Sequence, residues 1–132
     1  MKHQIKIIST DLMDRFEGTV QFEINGNIYS GFFYGEEFKT GQLIEADLGH
    51  LEYGLNWDVI FNENKNKELK LEQANDSEWG YYGYGKIKSI DPIIADFGDI
   101  QLDIGNWTND PKVIEEYIYW KIERLDISTN KD

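Results

Sequence analysis

Asp91, Asp96, Asp99 and Asp103 lie close together in the chain and are the side chains best spaced to do chemistry. Two carboxylates held near each other can serve as general acid and base, and their separation sets the stereochemistry of glycoside hydrolysis. Oxygen ligands of this kind also hold hard cations. The spacing departs from the Asp-x-Asp-x-Asp-Gly loop with a distal Glu that marks a calcium site. In an acidic chain such groups also arise simply as the solvated face and turn of a hairpin.

The second chemical feature is Trp79-Gly80-Tyr81-Tyr82-Gly83-Tyr84-Gly85. Rings exposed on a β face form a stacking platform for sugars or bases, and Trp and Tyr dominate protein interfaces. Lys86 and Lys88 are the only cations nearby in sequence, too few for the positive groove that accompanies nucleic-acid stacking. The structural alternative is a strand whose glycines are bulges and whose rings divide between core and surface.

His3 and His50 are the only histidines, and a site built from His50, Asp47 and Glu52 is poorly supplied for zinc. There is no Gly-x-Ser-x-Gly elbow, Walker loop, dinucleotide fingerprint or His-Glu-x-x-His. Asp96-Phe97-Gly98 matches the kinase magnesium motif in isolation, without the glycine-rich and catalytic loops that give it meaning. Neither a metal nor a cofactor is expected, and enzymatic activity is not the leading expectation.

Charge is the strongest global feature. The formal net charge is -12, divided as -4 over residues 1–48, -2 over 49–90 and -6 over 91–132. A negative surface rimmed by aromatics steers basic proteins toward it and repels phosphate backbones and anionic membranes. The leading expectation is therefore a non-enzymatic cytoplasmic interaction domain, an acidic inhibitor or immunity-type protein that binds a basic partner. Asp96, Asp99 and Asp103 would steer, and Trp79, Tyr82, Tyr84 and Trp107 would anchor. The alternatives are a barrel that binds a glycan or other small ligand on its aromatic face, and a carboxylate-based hydrolase. Net charge also simply keeps a protein in solution.

The elements that must position these groups are mostly strands. With 132 residues the chain suits one domain, 1–132, and without cysteine it has no disulfides to rely on. No secretory signal and no apolar run of membrane-spanning length is present. Residues 17–24 and 28–34 flank Asn25-Gly26, the strongest short-range hairpin signal, because a type I′ turn needs positive φ at both central residues. Further strands are expected at 41–48, 57–61, 67–71, 82–90 and 117–127, with a second hairpin at 93–97 and 100–104 around Gly98-Asp99. The polar run from Asn62 to Lys70 reads as an exposed loop. Asp110 and Pro111 predict one helical turn within 110–116, as cap and first residue. Short, glycine-rich strands at near-regular spacing predict a mostly β fold, a single small closed or partly closed antiparallel β-barrel, with a β-sandwich as the alternative.

Overall fold

The structure is a computed structural model that describes residues 1–52 and 57–129. In chain order its elements are β1 (Lys2–Leu12), β2 (Glu17–Ile24), β3 (Asn27–Tyr34), β4 (Leu43–Glu52), α1 (Trp57–Ile60), β5 (Lys70–Gln73), β6 (Tyr81–Ser89), β7 (Ile94–Asp96), β8 (Gln101–Asp103), a 3-10 turn at Pro111–Val113, and β9 (Tyr117–Ser128).

The strands form one sheet in the order β3-β2-β1-β4-β9-β6-β7-β8, with β5 added to the edge of β6. A parallel pairing of β3 with β9, at Phe32 and Asp126, joins the end of this path back to its middle. β1, β2, β3, β9 and β4 thereby make a ring of five strands, a partly closed barrel as the strand pattern predicted. β5 to β8 extend from the β9 side of the ring.

Period-two alternation fills the interior. Val20, Phe22 and Ile24 of β2, Ile5 and Ile7 of β1, Ala46 and Leu48 of β4, and Ile118, Trp120, Ile122, Leu125 and Ile127 of β9 are all buried. The alternation shifts phase within β9, between Ile122 and Leu125, where the strand passes from β6 to β4 and β4 carries an irregularity at Leu51/Glu52.

The Asn25-Gly26 turn has φ of 53° and 84° at its two residues, the backbone the sequence demanded. The Asp110 carboxylate accepts from Lys112 N at 3.0 Å and caps the 3-10 turn with Pro111 at its start. Other expectations need correction. Residues 57–60 form a single helical turn in place of a strand, and β5 begins at Lys70, so the strand expected at 67–71 is displaced toward the C-terminus. The ladder irregularities fall at Ile7/Ser9, Leu51/Glu52 and Ile87/Ser89, not at glycines. Gly83 and Gly85 instead make room for the Phe97 ring, which would come within 2.7 Å of a Cβ at either position. Asn64 is also buried, within the run expected to be exposed throughout.

Candidate binding surface

The β7–β8 hairpin brings Asp96, Asp99 and Asp103 near one another without pairing them. Its register sets Asp96 opposite Gln101 and Asp103 opposite Ile94. Asp96 and Asp103 each accept a hydrogen bond from a backbone N–H two residues on, Gly98 at 2.8 Å and Gly105 at 2.9 Å. These are side-chain turns of the kind Asp makes at hairpin ends. Asp91, at φ 60°, is exposed in the turn before β7. Among the described residues no three His, Asp or Glu side chains converge as a metal-ligand set. Asp47 accepts from the Met1 ammonium at 2.6 Å and His50 Nε2 accepts from Trp120 Nε1 at 3.0 Å; the Glu52 side chain lies outside the described residues. His3 Nε2 accepts from Gln101 N at 3.0 Å, and burial pushes its pKa down, so the ring is held neutral between β1 and β8.

Asp99 is tied most firmly. Its carboxylate accepts from Tyr29 OH at 2.6 Å, Asn27 Nδ2 at 2.7 Å and Asn25 Nδ2 at 3.1 Å. It therefore clamps the β2–β3 turn to the β7–β8 turn. Burial raises the Asp99 carboxyl, but the three donors outweigh it and leave the group below the ordinary carboxylate range. The same burial and the adjacent carboxylate push the Tyr29 hydroxyl up. A depressed carboxyl is unsuited to act as a general acid near neutral pH. Asp99→Ala is expected to cost about 2 kcal/mol, because it leaves the half-buried Tyr29 hydroxyl without its acceptor. Stability held by a depressed carboxyl is present above the unfolded value near 3.8 and is lost as pH falls through the folded value. The gap between wild type and Asp99→Ala, measured by urea unfolding, should thus be wider at neutral pH than in acid, narrowing by the carboxylate's share while the share from the stranded Tyr29 hydroxyl remains; a gap independent of pH would refute the clamp.

The aromatic segment divides between interior and surface along β6. Tyr81 points inward, where its hydroxyl donates to Ser30 O and accepts from Ser30 N, both at 2.7 Å. Burial raises its pKa to about 12, partly offset by the Ser30 backbone contact. Tyr82 and Tyr84 face outward beside Tyr119 of β9, at centroid distances of 6.4 and 5.4 Å. This face also gathers lysines, of which sequence proximity showed only Lys86. Lys70 lies 5.1 Å from the Tyr84 ring, Lys121 5.8 Å from Tyr82, and Lys86 5.5 Å from Tyr117. Lys70 pairs with Glu68 and Glu72 at 3.2 and 3.1 Å, and Lys86 pairs with Glu115. The Tyr82 and Tyr84 rings therefore already carry cations, and the lysine on Tyr84 is itself held by carboxylates.

Trp107 is half-buried, stacked on the core residue Trp120 at 5.8 Å and near Phe61 at 6.0 Å. It is a wall of the core. Trp79 is also half-buried, edge-on to Phe32 at 5.1 Å, with Nε1 donating to Thr19 Oγ1 at 2.9 Å. Unlike Trp107, it joins a surface that sequence reasoning missed.

That surface surrounds the β1–β2 turn. Leu12, Met13, Phe16 and Tyr34 are 62%, 58%, 54% and 66% exposed, and Phe16 meets Tyr34 at 6.3 Å. The turn is nevertheless well held. Met13 N donates to Glu17 O at 3.0 Å, Gly35 N donates to Phe16 O at 2.6 Å, and Asp14 Oδ1 accepts from Phe16 N and Glu17 N at 2.8 and 3.0 Å. The bond from Phe16 N is the chief reason the Asp14 carboxyl lies below its ordinary value. Tyr34 and Phe32 alternate along β3 on the same face, so the rings run from Phe16 through Tyr34 and Phe32 to Trp79. Asp11, Asp14, Glu17 and Glu78 border them. The chain's two arginines lie on this run, Arg15 at 5.6 Å from Phe16 and Arg124 at 4.2 Å from Phe32. The sequence signal was present: Met13 and Phe16 occupy a turn where polar residues are the rule, and Leu12 immediately precedes it.

No helix among the described residues is long and apolar enough to cross a membrane. No protein-family model matches the chain, and comparison with curated proteins and with solved structures returned no match.

Proposed function

We propose that this chain is an interaction domain of the acidic inhibitor or immunity type, which docks on a basic partner protein through the end of the barrel around the β1–β2 turn. One observation carries the reading. Four large apolar side chains, each more than half exposed, stand together at this end, Met13 and Phe16 in a turn fixed by backbone hydrogen bonds, Leu12 at the end of β1 and Tyr34 at the end of β3, with Asp11, Asp14 and Glu17 close by in the chain. Exposing such a cluster is unfavourable for an isolated chain, and apolar centres with polar rims are characteristic of protein interfaces. The preformed turn lowers the ordering cost of binding. A net charge of -12 adds attraction toward a cationic partner.

The anchors on this reading are Leu12, Phe16 and Tyr34, with Trp79 at the far end of the ring run. Asp99 and Trp107 serve the fold. The test begins with capture by tagged protein at low and high salt, followed by affinity measurement on the purified pair. Leu12→Ser with Phe16→Ser is expected to weaken that pair about 100-fold, since two central anchors each contribute about 1–4 kcal/mol. The reading fails if the doubly substituted chain binds the same protein as tightly as wild type, or if the captured protein is not basic.

A further inference from the structure

Beside the docking end, a cleft of about 330 Å³ lies between the outward side chains of β1, β2 and β3 and the segment that joins β5 to β6. We infer that this cleft receives an arginine side chain of the basic partner, an inference that rests on the docking function proposed above. Its lining includes the carboxylates of Asp11 and Glu78, the hydroxyls of Ser9 and Thr19, and the amides of Gln21 and Gln73.

The ladder fixes where these acceptors stand. Asp11 is opposite Thr19 and Ser9 is opposite Gln21. Thr19 Oγ1 donates to Glu78 Oε2 at 2.9 Å, so Asp11 and Glu78 border the same threonine from two sides. Ser9 Oγ donates to Gln21 Oε1 at 3.2 Å and steadies the second row. No lysine or arginine lines the cleft among the described residues. Its two negative groups therefore favour a cation from outside.

Shape decides which cation. The acceptors are spread over two ladder rows and across the cleft, and no metal-ligand set converges among the described residues. A planar guanidinium with five N–H donors matches distributed oxygens better than the compact ammonium of lysine. The adjoining ring run already holds a guanidinium: Arg124 lies 4.2 Å from the Phe32 ring while its Nε and Nη2 donate to Asp126 at 2.6 and 3.3 Å. Phe32 is the cross-strand neighbour of Thr19 and packs against Trp79, so this internal pair is built beside the cleft. A partner arginine would repeat it, with Asp11 and Glu78 in the place of Asp126.

The experiment is an NMR titration of the full chain with N-acetyl-arginine amide, and separately with N-acetyl-lysine amide, at low salt. The arginine probe should shift the side-chain amides of Gln21 and Gln73 and the indole N–H of Trp79 along one saturating curve. The lysine probe should bind there at least about fivefold more weakly. Asp11→Asn with Glu78→Gln, which keeps the shapes and leaves Thr19 an acceptor, should weaken arginine binding by about tenfold while distant resonances stay in place. Equal, unsaturable shifts from both probes, or arginine binding unchanged in the double variant, would overturn the inference. Failure here with partner binding still dependent on Leu12 and Phe16 removes the arginine site and leaves the docking surface. Saturable arginine binding with no dependence of partner binding on Leu12 and Phe16 removes the docking reading on which the biological role of the cleft rests.

Discussion

Asn64→Ala is expected to lower the unfolding free energy by about 3 kcal/mol, a large effect for one polar residue in a polar loop. Asn64 is only 7% exposed, and its amide connects three parts of the chain. Nδ2 donates to Glu68 O at 3.0 Å, to Ile118 O of β9 at 3.1 Å and to Gly85 O of β6 at 3.3 Å. Oδ1 accepts from Glu68 N at 2.8 Å. Alanine would leave those carbonyls and that N–H to find other partners away from water, and the cost arises from the groups left behind more than from the bonds lost. Asn64→Asp is the sharper comparison. It preserves the acceptor for Glu68 N but turns an oxygen toward the carbonyls of Gly85 and Ile118, so it should recover little of the loss. Urea unfolding at neutral pH measures both. A cost below about 1 kcal/mol for Asn64→Ala would mean that water replaces the amide and that the loop is not wired to the sheet.

The second large effect is expected at Gly85. A Cβ there would lie 2.7 Å from the carbonyl oxygen of Asp96 and 2.7 Å from Cδ1 of Phe97. Both neighbours are constrained, one as backbone of the paired strand β7 and the other as a buried ring. Gly85→Ala should therefore cost about 3 kcal/mol through forced displacement of β7. Gly49→Ala is the matched control, since nothing lies within 4 Å of a Cβ at that position. Its effect should stay within about 0.5 kcal/mol. Thermal unfolding of the two variants in parallel gives the comparison, and similar stabilities would show that the strands separate more readily than their packing implies.

These two positions mark how far sequence reading reached. Gly85 stood in the aromatic segment that the sequence set apart, and its strand was expected; the reason for glycine was not legible. Phe97, the ring it accommodates, belongs to another strand, and no local rule says which ring lies over which backbone. Asn64 was hidden in the same way, because its acceptors on β6 and β9 lie far along the chain. The Tyr82 and Tyr84 rings were placed on a β surface, yet Lys70 and Lys121 reach them only through the β5–β6 and β6–β9 ladders. β1 was missed because only Ile5 and Ile7 are buried among its polar residues, and its remaining partners come from β2 and β4.

The residues themselves determined the Asn25-Gly26 hairpin, the turn at Asp110-Pro111, the alternating faces of β6, β8 and β9, the acidic balance and the barrel-type fold. Each depends on backbone preferences or side-chain periodicity within a few residues, where local sterics and hydrogen bonding suffice. The tertiary structure alone decided the closure of β3 onto β9, the tethering of Asp99 to Asn25, Asn27 and Tyr29, the burial of Asn64, and the convergence of Phe16, Tyr34, Phe32 and Trp79 beside Asp11 and Glu78. Those contacts join segments whose proximity is set by strand order and register, and they form only when burial of the whole core offsets the entropy of bringing distant parts of the chain together.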